Sequence, residues 1–224
     1  MPVGGLPEIA EGADLGTLLG EAIEKLGGLE EGDVVVLAHK IVSKAEGRVE
    51  RTGDPVEVVL REARSVRRRR GDFVIAETEH GFVCASAGVD RSNAPGDGWV
   101  VLLPRDPDAS ARRIRDALAA RFGVEPAVIV ADSFGRAWRQ GTTDVAIGVA
   151  GMSPLLDLRG TEDDRGYVLH ATVVAVADEL AGAAELVTGQ TSGVPAAIVR
   201  GYRFRAAAGS ARELVMPEER DLFP

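Results

Sequence analysis

The chain has 224 residues, 45% apolar and 27% charged, which is enough to bury a substantial core and ordinary for a globular protein. Its net charge of −9 and pI near 5.0 argue against a nucleic-acid or anionic-membrane surface, so an anionic ligand must be met locally, by metal ions or a few arginines. A single cysteine, Cys84, excludes an internal disulfide framework, no segment reaches the roughly 18 apolar residues of a membrane span, and Met1 to Leu6 lacks a signal-peptide pattern. A cytoplasmic protein is expected, and residues 1–224 can form one large domain or two intertwined lobes.

Leu6-Pro7-Glu8-Ile9 reads as a short strand or loop. Asp14 caps a helix with Leu15, Leu18, Leu19, Ile23 and Leu26 on one face, stopped by Gly27-Gly28. Asp33 to Ala38 is a buried-strand run, and it leads directly into a dense polar stretch from His39 to Arg48 that holds Lys40 and Lys44. Asp54, Pro55 and Glu57 start a second helix, whose pattern runs on into Arg64–Arg70; arginines in a last helical turn suit the macrodipole. These arginines read either as a solvated face or as a docking patch for an anionic substrate. Phe73–Ala76 and Gly81–Ala85 form a hairpin, with Cys84 as a buried small hydrophobe, and the second strand runs out at Asp90.

Trp99–Leu103 is strand-like, and the segment from Pro104 to Ser110 opens a helix with Ile114, Leu118 and Phe122, closed by Gly123. Ala127 to Ala131 is a second buried-strand run that ends abruptly at Asp132 and Ser133. Arg136, Trp138, Arg139 and Gly141 follow with little filler: either a polar turn with solvated arginines and a core tryptophan, or a functional loop at a strand end. Asp144–Ala150 is strand-like, a Gly- and Asp-rich loop extends through Gly166, and a strand is expected from Tyr167 to Val176. Asp178 starts a helix through Leu186, ended by Gly189-Gln190; Pro195–Val199 is the last strand, and 210–224 is an appended helix or arm. The alternation of helices with hairpins predicts a mixed α+β fold.

Neither the phosphate loop G-x-x-x-x-G-K-[ST] nor the dinucleotide fingerprint G-x-G-x-x-G occurs, and G-x-S-x-G, H-E-x-x-H and paired C-x-x-C are likewise missing. His39, His80 and His170 show no ligand spacing, and His80 and His170 read as structural. What remains is hard oxygen ligands at element exits: Asp90, Asp132, Ser133 and the amide of Gln190. Such donors suit Mg2+ or Mn2+, and Lys40, Lys44, Asn93, Arg136 and Arg139 can pair with polyphosphate oxygens. Metal-assisted phosphate chemistry is the function this pattern points to.

Five stretches then resemble one family: Leu6–Ile9, Lys40–Arg48, Ala87–Asn93, Leu103–Ala111 and Asp132–Arg139, with the likeness running on through Ala177–Ala181 and Pro195. They are similar to the coenzyme F420-0:L-glutamate ligases, in the single-domain form without a C-terminal nitroreductase-like domain. The resemblance implies a GTP-dependent ligase that adds one or more γ-linked L-glutamates to F420-0 through an acyl phosphate. It further implies a homodimer with largely antiparallel sheets in two intertwined lobes, two divalent cations (Mg2+ or Mn2+), and K+ as activator. Carried over by motif, Leu6, Pro7, Glu8 and Ile9 contact the GTP base, His39, Lys44 and Asn93 hold the nucleotide, and Asp132 and Lys44 are the catalytic pair. Asp90 and Asp132 bind one metal, and Ser133 and Gln190 serve the second. Ser133 stands where threonine is common, and Gln190 where many members have glutamate. Arg136, Trp138 and Arg139 are expected to face the F420-0 tail or the incoming glutamate. Two rival functions are a related amide ligase for a different carboxylate and a nucleotide-binding module without catalysis.

Overall fold

Two uninterrupted apolar runs, Val34–Ala38 and Ala127–Ala131, lie side by side in parallel at the centre of the protein. The computed structural model describes residues 1–222. In chain order its elements are β1 (Pro2–Val3), α1 (Leu15–Glu24), β2 (Val34–Ala38), α2 (His39–Ala45), β3 (Val49–Arg51), α3 (Pro55–Glu62) and β4 (Ala63–Arg70). There follow β5 (Phe73–Thr78), β6 (Val83–Ala85), β7 (Trp99–Val101), α4 (Pro107–Phe122), β8 (Ala127–Arg136) and β9 (Arg139–Ala150). The chain closes with β10 (Leu156–Asp157), β11 (Val173–Val174), α5 (Val176–Thr188) and β12 (Ala196–Val199). The fold is α+β, with mixed and mostly antiparallel sheets.

The main sheet has the order β1-β12-β2-β8-β9, and within it β2–β8 is the parallel pair. Val34 to Leu37 and Ala127 to Ala131 are all buried, which requires cover on both faces and explains apolar runs in place of alternation. That cover comes from α4 and α5 packed on β9, with α1 packed on α4. Asp14, Asp54 and Asp106 each accept a backbone N–H of the first turn of α1, α3 and α4, as local cap chemistry demands. At the other end of β2, Asp33 is 1% exposed and takes a bidentate grip from Arg200 (Nε 2.9 Å, Nη2 2.7 Å), which ties the exit of β12 to the entry of β2.

A second, smaller assembly holds the sheet β4-β5-β6 and the pair β3–β7 over two satellite cores, one of Val59, Val74, Ala76 and Ala87 and one of Val58, Val100 and Leu102. Here the structure corrects the expected long second helix. α3 stops at Glu62, and Ala63–Arg70 is a strand paired antiparallel with β5 across the two-residue turn Gly71-Asp72. A two-residue Gly-Asp turn, with Gly71 at a φ of 60°, favours a hairpin, and β5 needs this partner for its own backbone groups. Arg67 to Arg70 are therefore an exposed edge strand and not a helical last turn.

Three further corrections follow the same logic. β8 continues through Asp132 to Arg136, because β9 supplies partners as far as the Arg136–Arg139 pair. The strand expected over Tyr167–Val176 shrinks to Val173–Val174. Residues 159–168 are exposed and have no face to bury, and Asp163 Oδ1 accepts the N–H groups of Arg165 and Tyr167 in a local turn. The tail forms two short 3₁₀ turns, Ala211–Leu214 and Glu218–Arg220, with Ala211 buried against the main core; residues 223 and 224 of the expected arm lie outside the described residues. Among the described residues no helix is long and apolar enough to cross a membrane.

Gly148 in β9 marks the tightest helix–sheet contact: a Cβ there would fall within 2.5 Å of the Pro107 carbonyl carbon at the start of α4. Backbone cannot yield as a flexible side chain does, so Gly148→Ala is expected to destabilise the fold by about 2–3 kcal/mol. Thermal denaturation should show a melting temperature lower by about 4–10 °C; an unchanged melting temperature would refute the close packing of α4 on β9.

Candidate functional site

Register puts the chemistry together. Ala38 and Ala131 are paired across β2 and β8, so the next residues, His39 at the head of α2 and Asp132 on the part of β8 that runs on past β2, stand at the same level. His39 is 1% exposed; its Nε2 lies 3.3 Å from Asp132 Oδ1 but out of line for a hydrogen bond, and its Nδ1 is 3.2 Å from Ser43 Oγ. In open sheets, ligands bind beyond the carboxyl ends of parallel strands, and this pair ends at a cleft. The cleft encloses about 220 Å3 and is lined by Leu6 to Ile9, His39 to Ile41, Lys44, Asn93, Asp132, Ser133, Asp144 and the loop from Thr188 to Pro195.

Each sequence-derived residue can now be located. Leu6, Pro7, Glu8 and Ile9 form a loop, not a strand, and Lys44 Nζ pins it through Glu8 Oε1 at 2.5 Å. Ser133 and Gln190 meet, with Gln190 Nε2 donating to Ser133 Oγ at 2.9 Å. Asp90 is joined to the cleft through Lys40, whose Nζ reaches Asp90 Oδ2 at 2.7 Å, Ser92 Oγ at 2.5 Å and Asn93 Oδ1 at 3.4 Å. Lys40 is thus engaged by protein partners where the sequence offered it to phosphate. Burial works against the charged form of Asp90, but hydrogen bonds from Lys40 and Ser92 and the charge of Lys40 outweigh it, so its pKa is lowered.

The backbone leading to Asp90 is unusual. Ser86, Ala87 and Gly88 have φ of 53°, 49° and 71°, three successive left-handed residues that turn the chain sharply after β6. Each non-glycine residue in that region costs about 1–2 kcal/mol, and such strain gathers at functional sites. The turn is held by the buried methyl of Ala87 and by the Asp90–Val101 bridge, with N–H···O distances of 2.9 and 2.7 Å. Asn93 also has a left-handed φ of 55°.

Arg136, Trp138 and Arg139 are not in the cleft. They sit at the β8–β9 hairpin tip, about 13 Å along the strand from Asp132 at ordinary strand rise. Trp138 is 83% exposed with a φ of 56°, so neither a core position nor packing against the cleft describes it. His80 is structural as expected, its Nε2 2.9 Å from the Pro104 carbonyl, and His170 lies on the exposed loop in edge contact with Tyr167.

Two residues escaped the sequence reading. Asp144 is the strand partner of Ser133 and accepts its hydroxyl proton at 2.5 Å; Glu185, in the last turn of α5, accepts from Asp144 N at 3.0 Å and from Gln190 Nε2 at 2.5 Å. Burial raises the Asp144 pKa; the Ser133 hydrogen bond opposes this, and the charges of Glu185 and Asp132 reinforce it. Unlike isolated surface acids, these carboxylates share one neighbourhood. The signal for Asp144 was present in the hairpin: folding 127–136 onto 139–150 sets it opposite Ser133. Among the described residues no three imidazole, thiolate or carboxylate groups form a ready-made metal cage. The oxygen donors at the mouth are instead mixed, with carboxylate, hydroxyl and amide.

Comparison with known proteins places this arrangement. The sequence pattern described as F420-0:Gamma-glutamyl ligase matches residues 5–55 and 50–201. The chain belongs to this family. It is 45% identical to the coenzyme F420:L-glutamate ligase of Methanothermobacter thermautotrophicus over 99% of this chain and 96% of that relative. The Methanopyrus kandleri ligase of the same name is 46% identical over 96% of this chain and 93% of its own. That of Methanocaldococcus jannaschii is 40% identical over 87% and 86%. The family match runs through all the cleft segments, from Leu6 to Pro195.

Cys84 lies behind this site, and burial, then the charge of Asp132, push its thiol up to about 12. It is therefore protonated at pH 8, where a free cysteine near 8.5 is already partly thiolate. The native protein should leave a disulfide-exchange reagent such as DTNB unconsumed at pH 8 and react fully once unfolded. Rapid native labelling would show that Cys84 is neither buried nor near a carboxylate.

Proposed function

We propose that the protein is a ligase of coenzyme F420 biosynthesis that joins L-glutamate to F420-0 at the expense of GTP. The observation that carries this reading is the convergence of five distant segments, Leu6–Ile9, His39–Lys44, Asn93, Asp132–Ser133 and Gly189–Pro195, on one cleft in a member of this family. The names of the three relatives, each covered over most of its length, support the choice of substrates.

The donors at the mouth fit divalent cations. Asp132, Ser133 and Gln190 in the cleft lining, with Asp90 beside it on Lys40, offer hard oxygens, and without a three-residue cage among the described residues the remaining coordination falls to nucleotide phosphates and water, as is usual for Mg2+ and acceptable to Mn2+. Asp90 and Asp132 would hold one ion and Ser133 and Gln190 the second, with K+ as a further activator. Such ions supply Lewis-acid neutralisation of charge on the transferring phosphoryl group.

The protein's own residues do the rest. The Leu6–Ile9 loop receives the base, and its apolar Leu6 and Ile9 shield it from water. Lys44, pinned near that loop, contributes a point charge to the phosphates, with Asn93 beside it. A free carboxylate does not condense with an amine, because hydroxide is a poor leaving group. Transfer of the γ-phosphoryl to the F420-0 carboxylate gives an acyl phosphate; the glutamate amine then attacks the carbonyl and phosphate departs. Arg136 and Arg139 on the hairpin tip offer guanidinium groups for the anionic F420-0 tail or the incoming glutamate, with Trp138 between them. Because that tip stands outside the cleft, an amide ligase for a different carboxylate is the second reading.

A homodimer completes the proposal. The outer surface of the β4-β5-β6 sheet exposes Phe73 (58%) and Val83 (51%), apolar area that a partner subunit would cover. Size-exclusion chromatography with light scattering is expected to give twice the 23.6 kDa chain mass; a monomer at micromolar concentration would remove this part.

Purified protein incubated with GTP, Mn2+, L-glutamate and F420-0 should yield GDP and an F420 species heavier by one glutamyl unit in the mass spectrum. GDP release only with another acid would favour the second reading, and nucleotide binding without turnover would overturn both. Asp132→Ala should lower turnover by at least about 10³-fold, the scale of losing an electrostatic stabiliser in the reaction. Retained turnover with normal metal affinity would remove Asp132 from its role.

A further inference from the structure

Gln190 lines the cleft, and Glu185, in the last turn of α5, stands behind it against the Gln190 side chain. Gln190 Nε2 lies 2.5 Å from Glu185 Oε1 and 2.9 Å from Ser133 Oγ. Chemistry decides which end of the amide faces Glu185. A carboxylate only accepts, so the atom against Glu185 has to be the NH2 group. Both its protons are then spent, one on Glu185 and one on Ser133.

The remaining bonds close the circuit. Glu185 Oε2 accepts the backbone N–H of Asp144 at 3.0 Å, and Ser133 Oγ gives its proton to Asp144 Oδ1 at 2.5 Å. Every donor in this set is directed inward to a protein acceptor. The Gln190 carbonyl oxygen and a lone pair of Ser133 Oγ are left for a ligand, and both can only accept. A site that presents acceptors alone is suited to a cation.

We propose that Glu185 is a positioning residue: it holds the Gln190 amide by its nitrogen, so that the carbonyl oxygen, together with Ser133 Oγ, faces the second divalent cation. This rests on the metal reading above. The circuit has a polarity that can be reversed. In Glu185→Gln, the new amide must point its NH2 at either Gln190 Nε2 or Asp144 N, and one donor then opposes another. In Gln190→Glu, two carboxylates meet. In the exchanged pair, Glu185→Gln with Gln190→Glu, the amide at 185 donates to the carboxylate at 190 and still accepts from Asp144 N.

The test is Mn2+ binding without turnover, followed by the paramagnetic resonance signal of the free ion in the presence of a non-hydrolysable GTP analogue. The wild-type protein is expected to take two ions. Each single variant should weaken the second by about 10- to 100-fold, the usual effect of losing a partner that orients a metal ligand, while the first ion still binds and the melting temperature stays unchanged. The exchanged pair should recover most of that loss. A Glu185→Gln protein that binds both ions as the wild type does, or an exchanged pair no better than the weaker single variant, would overturn the proposal. Asp132→Asn separates the two ideas. If it loses an ion while Glu185→Gln does not, the metal reading stands and the positioning role falls; if the wild type itself binds no Mn2+, the metal reading fails and the proposal with it.

Discussion

The parallel pairing of β2 with β8 is the constraint on which the rest depends. Its register, Val34 with Ala127 through Ala38 with Ala131, brings His39 and Asp132 out at one level, and no nearer sequence relation joins them. A slip of one residue would turn every side chain to the other face and part the two. The pair is fixed at its base by the Arg200–Asp33 clamp and along its flanks by β12 and β9. Full burial on both faces gives this pair a densely packed setting, which is what precise placement of a carboxylate requires.

Around that rigid base the mouth of the cleft carries local costs. Ser86 and Ala87 hold left-handed backbone, Asp144 is pushed toward its neutral form, and Glu185 and Asp132 add like charge nearby. Lys40 is partly buried and committed to Asp90 and Ser92. None of these arrangements improves the core. Their concentration in one place, while the helix caps and the sheet interior follow ordinary rules, is the pattern expected where stability has been exchanged for chemistry.

Local signals were legible in proportion to how local their physics is. Asp14, Asp54 and Asp106 cap helices through bonds to the next turn, and the apolar run of Ala127 to Ala131 announces burial by itself. The length of β8 beyond Asp132 was not legible, because strand character there comes from β9, which the run itself does not encode. Arg64–Arg70 misled for a related reason: the arginines suit a helix end, and only pairing with β5 makes them a strand. Asp132, Ser133, Lys44 and Gln190 stood out as polar residues at the exits of apolar segments. Asp144 and Glu185 did not, since a single acid in a strand or helix is commonplace until the fold brings it against another.

The strand order of the main sheet also governs when this protein becomes competent. β1 pairs with β12, and β12 lies between β1 and β2, so the first strand of the chain has no neighbour until nearly the last has been made. The cleft inherits this delay, because its walls come from Leu6–Ile9 at one end of the chain and Gly189–Pro195 at the other. Non-local closure of this kind is slow, and on the ribosome, at about 5–20 residues per second, it leaves the early segments waiting for seconds. During synthesis the apolar β2 is exposed without its β12 and β8 partners, a window in which a chaperone has a substrate and the cleft does not yet exist. Ligand binding in this fold is a property of the finished chain.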